Sequence, residues 1–249
     1  MDKELFELAV QASTRVPPKN VIGTQSEHRV HAALKYYFQP DDTLHEIKID
    51  GYICDAVSED GMQIYEIQTR SFDKLRKKLA ALSEERSVTV IYPVITEKRV
   101  IVTYAESGET TIRKSPKKRI KENVFEELYK IKEYLKSDTL SFKLVLIKCD
   151  EFRVYKGDKS SRKPFSKPIS TERIPTDLID IVSINGISDL SVFLPSDLPE
   201  CFDSATFAKK KGISRSLAQI MLNVLTDTGL IKRIGKIGNA YIYELSDRN

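Results

Sequence analysis

Two Asp-Gly pairs ten residues apart, Asp50-Gly51 and Asp60-Gly61, constrain this chain more than any other feature. Asp-Gly is a strong signal for a two-residue β-hairpin loop, because both central positions need positive φ. Each pair sits between strand-like runs within Thr43 to Arg70, so the register of a three-strand meander can be counted from the turns. With Ile49 facing Tyr52, Glu46 falls opposite Asp55. With Glu59 facing Met62, Asp55 falls opposite Glu66. Three carboxylates then form one row across three antiparallel strands. Like charges in facing positions destabilise a sheet, so the row asks for a compensating cation.

The same count puts Lys48, Ile53 and Gln68 in the neighbouring row of that face, together with Val57 and Ile64. Ile47, Cys54, Tyr65 and Ile67 take the other face, which fits a core. Two readings of the acids follow from spacing: scattered acids on a half-exposed meander, or hard oxygen ligands for Mg²⁺ or Mn²⁺.

Around the meander, residues 24 to 38 read as a helix capped by Thr24 or Ser26, with Val30, Leu34, Tyr37 and Phe38 on its apolar stripe and Pro40 beyond its end. Glu27 lies on that inward stripe beside His31. Ser71 to Glu85 reads as a basic amphipathic helix with Phe72, Leu75, Leu79 and Leu82 inward. Ser87 to Val94 and Arg99 to Tyr104 read as strands. The order predicts a mixed sheet with helices against it. A middle region offers a helix at Val124 to Leu135, strands at Phe142 to Cys149 and Glu151 to Tyr155, then a Lys/Ser/Pro loop. Near the C-terminus, a short helix at Ser204 to Lys211, a break at Gly212, a helix capped by Ser214 and a hairpin around GKIGN form a winged-helix pattern. Three regions are expected: 1–115, 116–184 and 185–249.

The 249 residues suffice for more than one domain, and the composition is that of a soluble protein with no run of about 18 apolar residues. No secretory signal is visible at the N-terminus, so a cytoplasmic location and no membrane association are expected. Cys54, Cys149 and Cys201 lack CxxC spacing, and His28, His31 and His45 lack ligand spacing; both sets read as structural. The net charge of +4 is concentrated in basic runs at Arg113 to Lys121 and Arg153 to Arg173, which suit a polyanionic partner or an ordinary solvated surface.

Gly51-x3-Asp55, ten residues and then Glu66-Ile67-Gln68-Thr69-Arg70, within an αβββαβ order over about residues 20 to 104, resembles the PD-(D/E)XK nuclease superfamily. The resemblance implies a restriction-endonuclease-like α/β core with a mixed sheet, followed here by an α+β middle region and a winged helix-turn-helix. It implies that Asp55 and Glu66 bind the metal with the carbonyl of Ile67, and that Gln68 stands at the lysine position. Cys54 stands where the motif has proline. Lys48, Lys74 or Lys78 could supply the missing lysine, and Glu27 matches an acid that the first helix brings to the metal, in competition with Glu46. The implied activity is Mg²⁺- or Mn²⁺-dependent hydrolysis of DNA phosphodiesters, with Arg70, Lys74 and Lys78 on flanking phosphates.

In the C-terminal pattern, Arg215, Ser216, Gln219 and Asn223 lie on the outward side of the second helix, and Lys236 and Asn239 on the wing, suiting contacts to bases and phosphates. A docking or dimerisation module is the other reading. The glutamine separates two functions: a metal-dependent endonuclease, or a DNA-binding protein or complex subunit that keeps the fold without turnover. RNA stays open as a substrate, and cutting both strands would call for a homodimer.

Overall fold

A computed structural model describes residues 2–15, 25–156 and 169–246, with the backbone alone for residues 25–28. The chain is α/β. Its elements in order are α1 (Lys3–Arg15), α2 (Gln25–Phe38), β1 (His45–Ile49), β2 (Tyr52–Val57), β3 (Gln63–Ile67), α3 (Arg76–Leu82), β4 (Ser87–Tyr104), β5 (Thr110–Lys114), α4 (Phe125–Leu128), β6 (Leu140–Tyr155), β7 (Ile169–Ile184), α5 (Ser204–Lys211), α6 (Arg215–Thr228), β8 (Ile231–Ile237) and β9 (Ala240–Leu245). One mixed seven-stranded sheet runs β1-β2-β3-β4-β6-β7, with β5 hairpinned onto β4; β8 and β9 form a separate pair.

Two compact units divide the chain. The first comprises residues 1–69, 90–120 and 143–182, and the second 70–89, 121–142 and 183–249. Residues 116–184, read as one region from the sequence, are shared between them.

In the first unit, α2 buries Val30 and Leu34 against Ile67, Ile91, Val145, Ile147, Cys149 and Leu178. Phe6 of α1 joins this core and meets the Tyr37 ring edge-on at 5.7 Å. Asp2 caps α1, its Oδ1 accepting from the Leu5 amide at 2.9 Å. Thr24, the expected cap of α2, lies outside the described residues; Ser26 falls inside the helix.

The first Asp-Gly turn forms as expected, with φ of 49° at Asp50 and 84° at Gly51, and Ile49 pairs with Tyr52. The second differs. Only Gly61 has positive φ, and the loop has four residues, closed by the Ser58 amide donating to the Gln63 carbonyl at 2.9 Å. Side chains explain the widening: Asp60 Oδ1 accepts from the Ser58 hydroxyl and the Met62 amide, and Ser58 Oγ accepts from the Gln63 amide. One residue is added on each side, so the register is unchanged. Ala56 pairs with Tyr65 and Val57 with Ile64.

Strands are longer than the sequence pattern suggests. The two runs flanking Thr96 to Lys98 are one continuous β4, and those flanking Asp150 are one continuous β6. The expected helix at Ser71 to Glu85 is instead a 3₁₀ turn, Phe72–Leu75, followed by the short α3. Ser83 Oγ bonds back to the Leu79 carbonyl at 2.6 Å, which competes with continuation of the helix. The expected helix at Val124 to Leu135 is likewise a succession of 3₁₀ and α turns, kinked at Ile131 with φ −126° and ψ 22°.

The second unit gathers α3, α4 and the C-terminal elements. Phe72 stacks on Phe142, Phe125 meets Phe193 edge-on, and the buried Glu122 pairs with Lys211 of α5 at 3.1 Å. Gly212 and Gly229 end α5 and α6 in the left-handed conformation, with φ of 70° and 85°. Ser214 caps α6, its Oγ accepting from the Leu217 amide at 3.2 Å. Ser214→Ala is expected to lower the unfolding free energy by roughly 1 kcal/mol, read as an earlier urea midpoint. The GKIGN segment is not a loop: Lys236 and Ile237 pair with Tyr241 and Ala240, leaving Gly238-Asn239 as the turn. The Arg233 guanidinium, 3.8 Å from the Tyr241 ring centroid, and Lys236 over the same ring help hold that longer hairpin.

Candidate active site

The register sets Asp55 of β2 opposite Glu66 of β3, with β1 alongside. Asp55 Oδ2 accepts from the Ile67 amide at 2.8 Å, and Glu66 Oε1 accepts from the Asp55 amide at 3.2 Å. Two facing carboxylates are thus each held by an N–H, which offsets part of their repulsion. Glu66 is 3% exposed, whereas the Asp55 side chain is partly open to solvent.

Further compensation comes from α2. His31 Nε2 lies 3.3 Å from Asp55 Oδ2, and Lys35 Nζ lies 3.1 Å from Glu46 Oε1. His31 and Lys35 are one helical turn apart, so a single stripe of α2 meets the carboxylates of β1 and β2 in order. His31, which the sequence alone reads as structural, lies directly against Asp55. The signal for it was present, since it lies one turn from Glu27 on the inward stripe. Glu27 lies in the first turn of α2, and its side chain lies outside the described residues.

Glu46 has φ of 54°, an uncommon value for a non-glycine residue within a strand, and its side chain is largely exposed beside Lys35. The three-acid row therefore becomes an Asp55–Glu66 pair plus an ion-paired Glu46. Lys48 pairs across to Ile53 and is exposed. Gln68 is half-buried, and its amide donates to the Ile91 carbonyl at 2.9 Å, fixing the residues after Glu66 against β4.

Burial pushes the His45 imidazole below the ordinary value, and its Nε2 lies 2.7 Å from the Gln39 carbonyl. The three cysteines are free. Burial pushes the Cys149 thiol up to about 12, and Cys201 is exposed. No group of three or more His, Cys, Asp or Glu gathers at one point among the described residues. Two carboxylates with water and substrate oxygens still match the way Mg²⁺ is ordinarily held, by one or two carboxylates plus phosphate.

Arg70, Lys74 and Lys78 belong to the second unit, with Arg70 and Lys74 exposed and Lys78 half-buried. Arg215, Ser216 and Gln219 are exposed along α6, and Lys236 and Asn239 stand at the tip of the β8-β9 hairpin. Asn223 is half-buried, with its Oδ1 accepting from Lys132 Nζ at 3.1 Å, so it is already engaged inside the unit.

This α/β chain, with its acidic pair on adjacent antiparallel strands beneath a helix, belongs to a family described only as a domain of unknown function (DUF8091), whose model matches residues 28–185. The matched stretch holds His31, Asp55, Glu66 and Gln68 and stops before α5. An uncharacterized protein of Treponema pallidum (strain Nichols) is 31% identical over 181 residues, 73% of this chain and 71% of the relative. No solved structure matches the chain. No helix among the described residues is long and apolar enough to cross a membrane.

Proposed function

We propose that the chain is a metal-dependent DNA endonuclease with a restriction-endonuclease-like core and a C-terminal winged helix that binds DNA. The observation that carries this reading is the facing Asp55–Glu66 pair on β2 and β3, met by His31 of α2 and followed directly by Gln68. Asp55, Glu66 and the carbonyl of Ile67 would hold Mg²⁺ or Mn²⁺, which when bound supplies Lewis-acid activation of the phosphodiester and of water.

The chain's own residues then have defined tasks. The Ile67 and Asp55 amides fix the rotamers of the carboxylates, so both are aimed before any ligand arrives. His31 places its Nε2 3.3 Å from Asp55 Oδ2, where the ring helps to hold that carboxylate in position. Gln68 can orient a water through its amide but cannot take its proton. In the second unit, the exposed Arg215, Ser216 and Gln219 on α6 and Lys236 on the hairpin suit phosphates and base edges.

Gln68 favours one competing reading, a DNA-binding protein or complex subunit without turnover. A supercoiled-plasmid assay separates the two. Nicking or linearisation with Mg²⁺ or Mn²⁺, abolished by EDTA and lost in Asp55→Ala, is the expected result. No cleavage with either ion across varied DNA substrates, or cleavage untouched by Asp55→Ala, would overturn the enzyme reading.

A further inference from the structure

Within the first unit, a pocket of about 290 Å³ is lined by Thr69, Ile95, Lys98, Lys117, Arg119 and Arg173, with Val30 and Pro93 completing the wall. Thr69 directly follows Gln68, and Val30 directly precedes His31, so the pocket lies beside the acidic pair in sequence on both strand and helix. Among the described residues, no acidic one lines it. Four cations meet there, and the carboxylate that reaches two of them is Glu151, which pairs with Lys98 and lies 3.7 Å from Arg173 while also bonding Arg153. Setting that one negative charge against the four positive ones leaves the lining at +3.

The remaining cations are poised rather than satisfied. Arg119 donates to the neutral Tyr92 hydroxyl at 2.8 Å, and neither Arg119 nor Lys117 has an ion pair among the described residues. Arg173 Nε is buried with no hydrogen-bond partner among the described residues. Guanidinium groups and ammonium groups converging on one small volume suit a compact, multiply charged anion with several acceptor oxygens.

We infer that this pocket binds a phosphoryl group, carried either on the end of a nucleic-acid strand or on a free nucleotide or inorganic phosphate. The phosphoryl chemistry follows from the pocket alone; assigning it to a strand end rests on the nuclease reading. A pocket of this size takes a chain terminus or one small phosphorylated molecule. In a nuclease, such a site would seat a phosphorylated end and set the distance from that end to the cut.

The test uses the full chain in EDTA, which removes cleavage from the measurement. Fluorescence anisotropy is read with labelled oligonucleotides ending in phosphate or in hydroxyl, and with inorganic phosphate and a nucleoside monophosphate as competitors. A terminal phosphate should tighten binding about tenfold, and Lys117→Gln or Arg119→Gln, both exposed positions, should reduce that preference toward one. Competition by the monophosphate or by inorganic phosphate at similar concentrations assigns the pocket to free phosphate compounds. Weak competition assigns it to strand ends. Equal affinity for both termini with no competition, or a preference unchanged in both variants, would overturn the inference. A chain that keeps the preference yet never cuts DNA loses the nuclease reading and retains the pocket.

Discussion

Glu66→Gln should lower metal-dependent plasmid cleavage by about a thousandfold or more, while leaving the sheet close to its parental stability. Glu66 is almost wholly buried, and its Oε1 accepts the Asp55 amide. Glutamine keeps an oxygen for that amide, so the local hydrogen bond survives. What it removes is the negative charge that, on the proposed nuclease reading, would hold a divalent ion beside Asp55. Glu66→Ala removes both, and the orphaned amide should cost a further roughly 1–3 kcal/mol. Nicking rates and urea midpoints of the two variants, taken together, separate the charge from the fold. A glutamine variant that cuts at the parental rate would move the chemistry elsewhere.

The second large effect is on stability. Burial alone would raise the Glu151 carboxyl, but hydrogen bonds from Lys98 and Arg153 and the charge of Arg173 outweigh it and hold the group down from 4.5 to about 2. Because the folded value lies below the unfolded one, this stabilisation is fully present above pH 4.5. It drains away as the pH falls through about 2. The shift corresponds to about 3 kcal/mol. Glu151→Gln strands Lys98, Arg153 and Arg173 around a neutral amide, so a loss of roughly 3–5 kcal/mol at pH 7 is expected. Urea unfolding at pH 7 and pH 3 checks the sign: the variant should be much weaker at pH 7, and the gap between the proteins should narrow in acid.

The same cluster explains part of what the sequence concealed. From the sequence, Asp150 falls between two strands, Phe142 to Cys149 and Glu151 to Tyr155. In the fold, Arg99 takes Asp150 with two nitrogens at 2.7 and 2.5 Å, and Lys98, Arg153 and Arg173 take Glu151, so β6 passes straight through. Arg99 and Lys98 lie about fifty residues from the acids that they pair with, and no local pattern links them. β7 was hidden for a different reason. Pro175 interrupts its alternation, and a proline within a run argues against a central strand; β7 is the last strand in the sheet order, where a missing N–H is tolerated.

Turn chemistry was legible where two residues decide it. The Asp55–Glu66 juxtaposition followed from counting, and survived a misjudged second loop only because the loop grew symmetrically. The contribution of His31 and Lys35 was not visible in the same way, since it depends on how α2 lies over the strands. A helical stripe names the residues that share a face but not their distant partners.

The two units are interleaved, and the backbone passes from one to the other at 69/70, 89/90, 120/121, 142/143 and 182/183, five times in all. A ribosome therefore delivers neither unit whole until late. The first unit waits for residue 182 and the second for the last turns of the chain, so early segments must stay unaggregated while their partners are still being made. Evolution is held to the same rule: a chain laced in this way cannot have gained or shed either unit by joining or cutting at a single point.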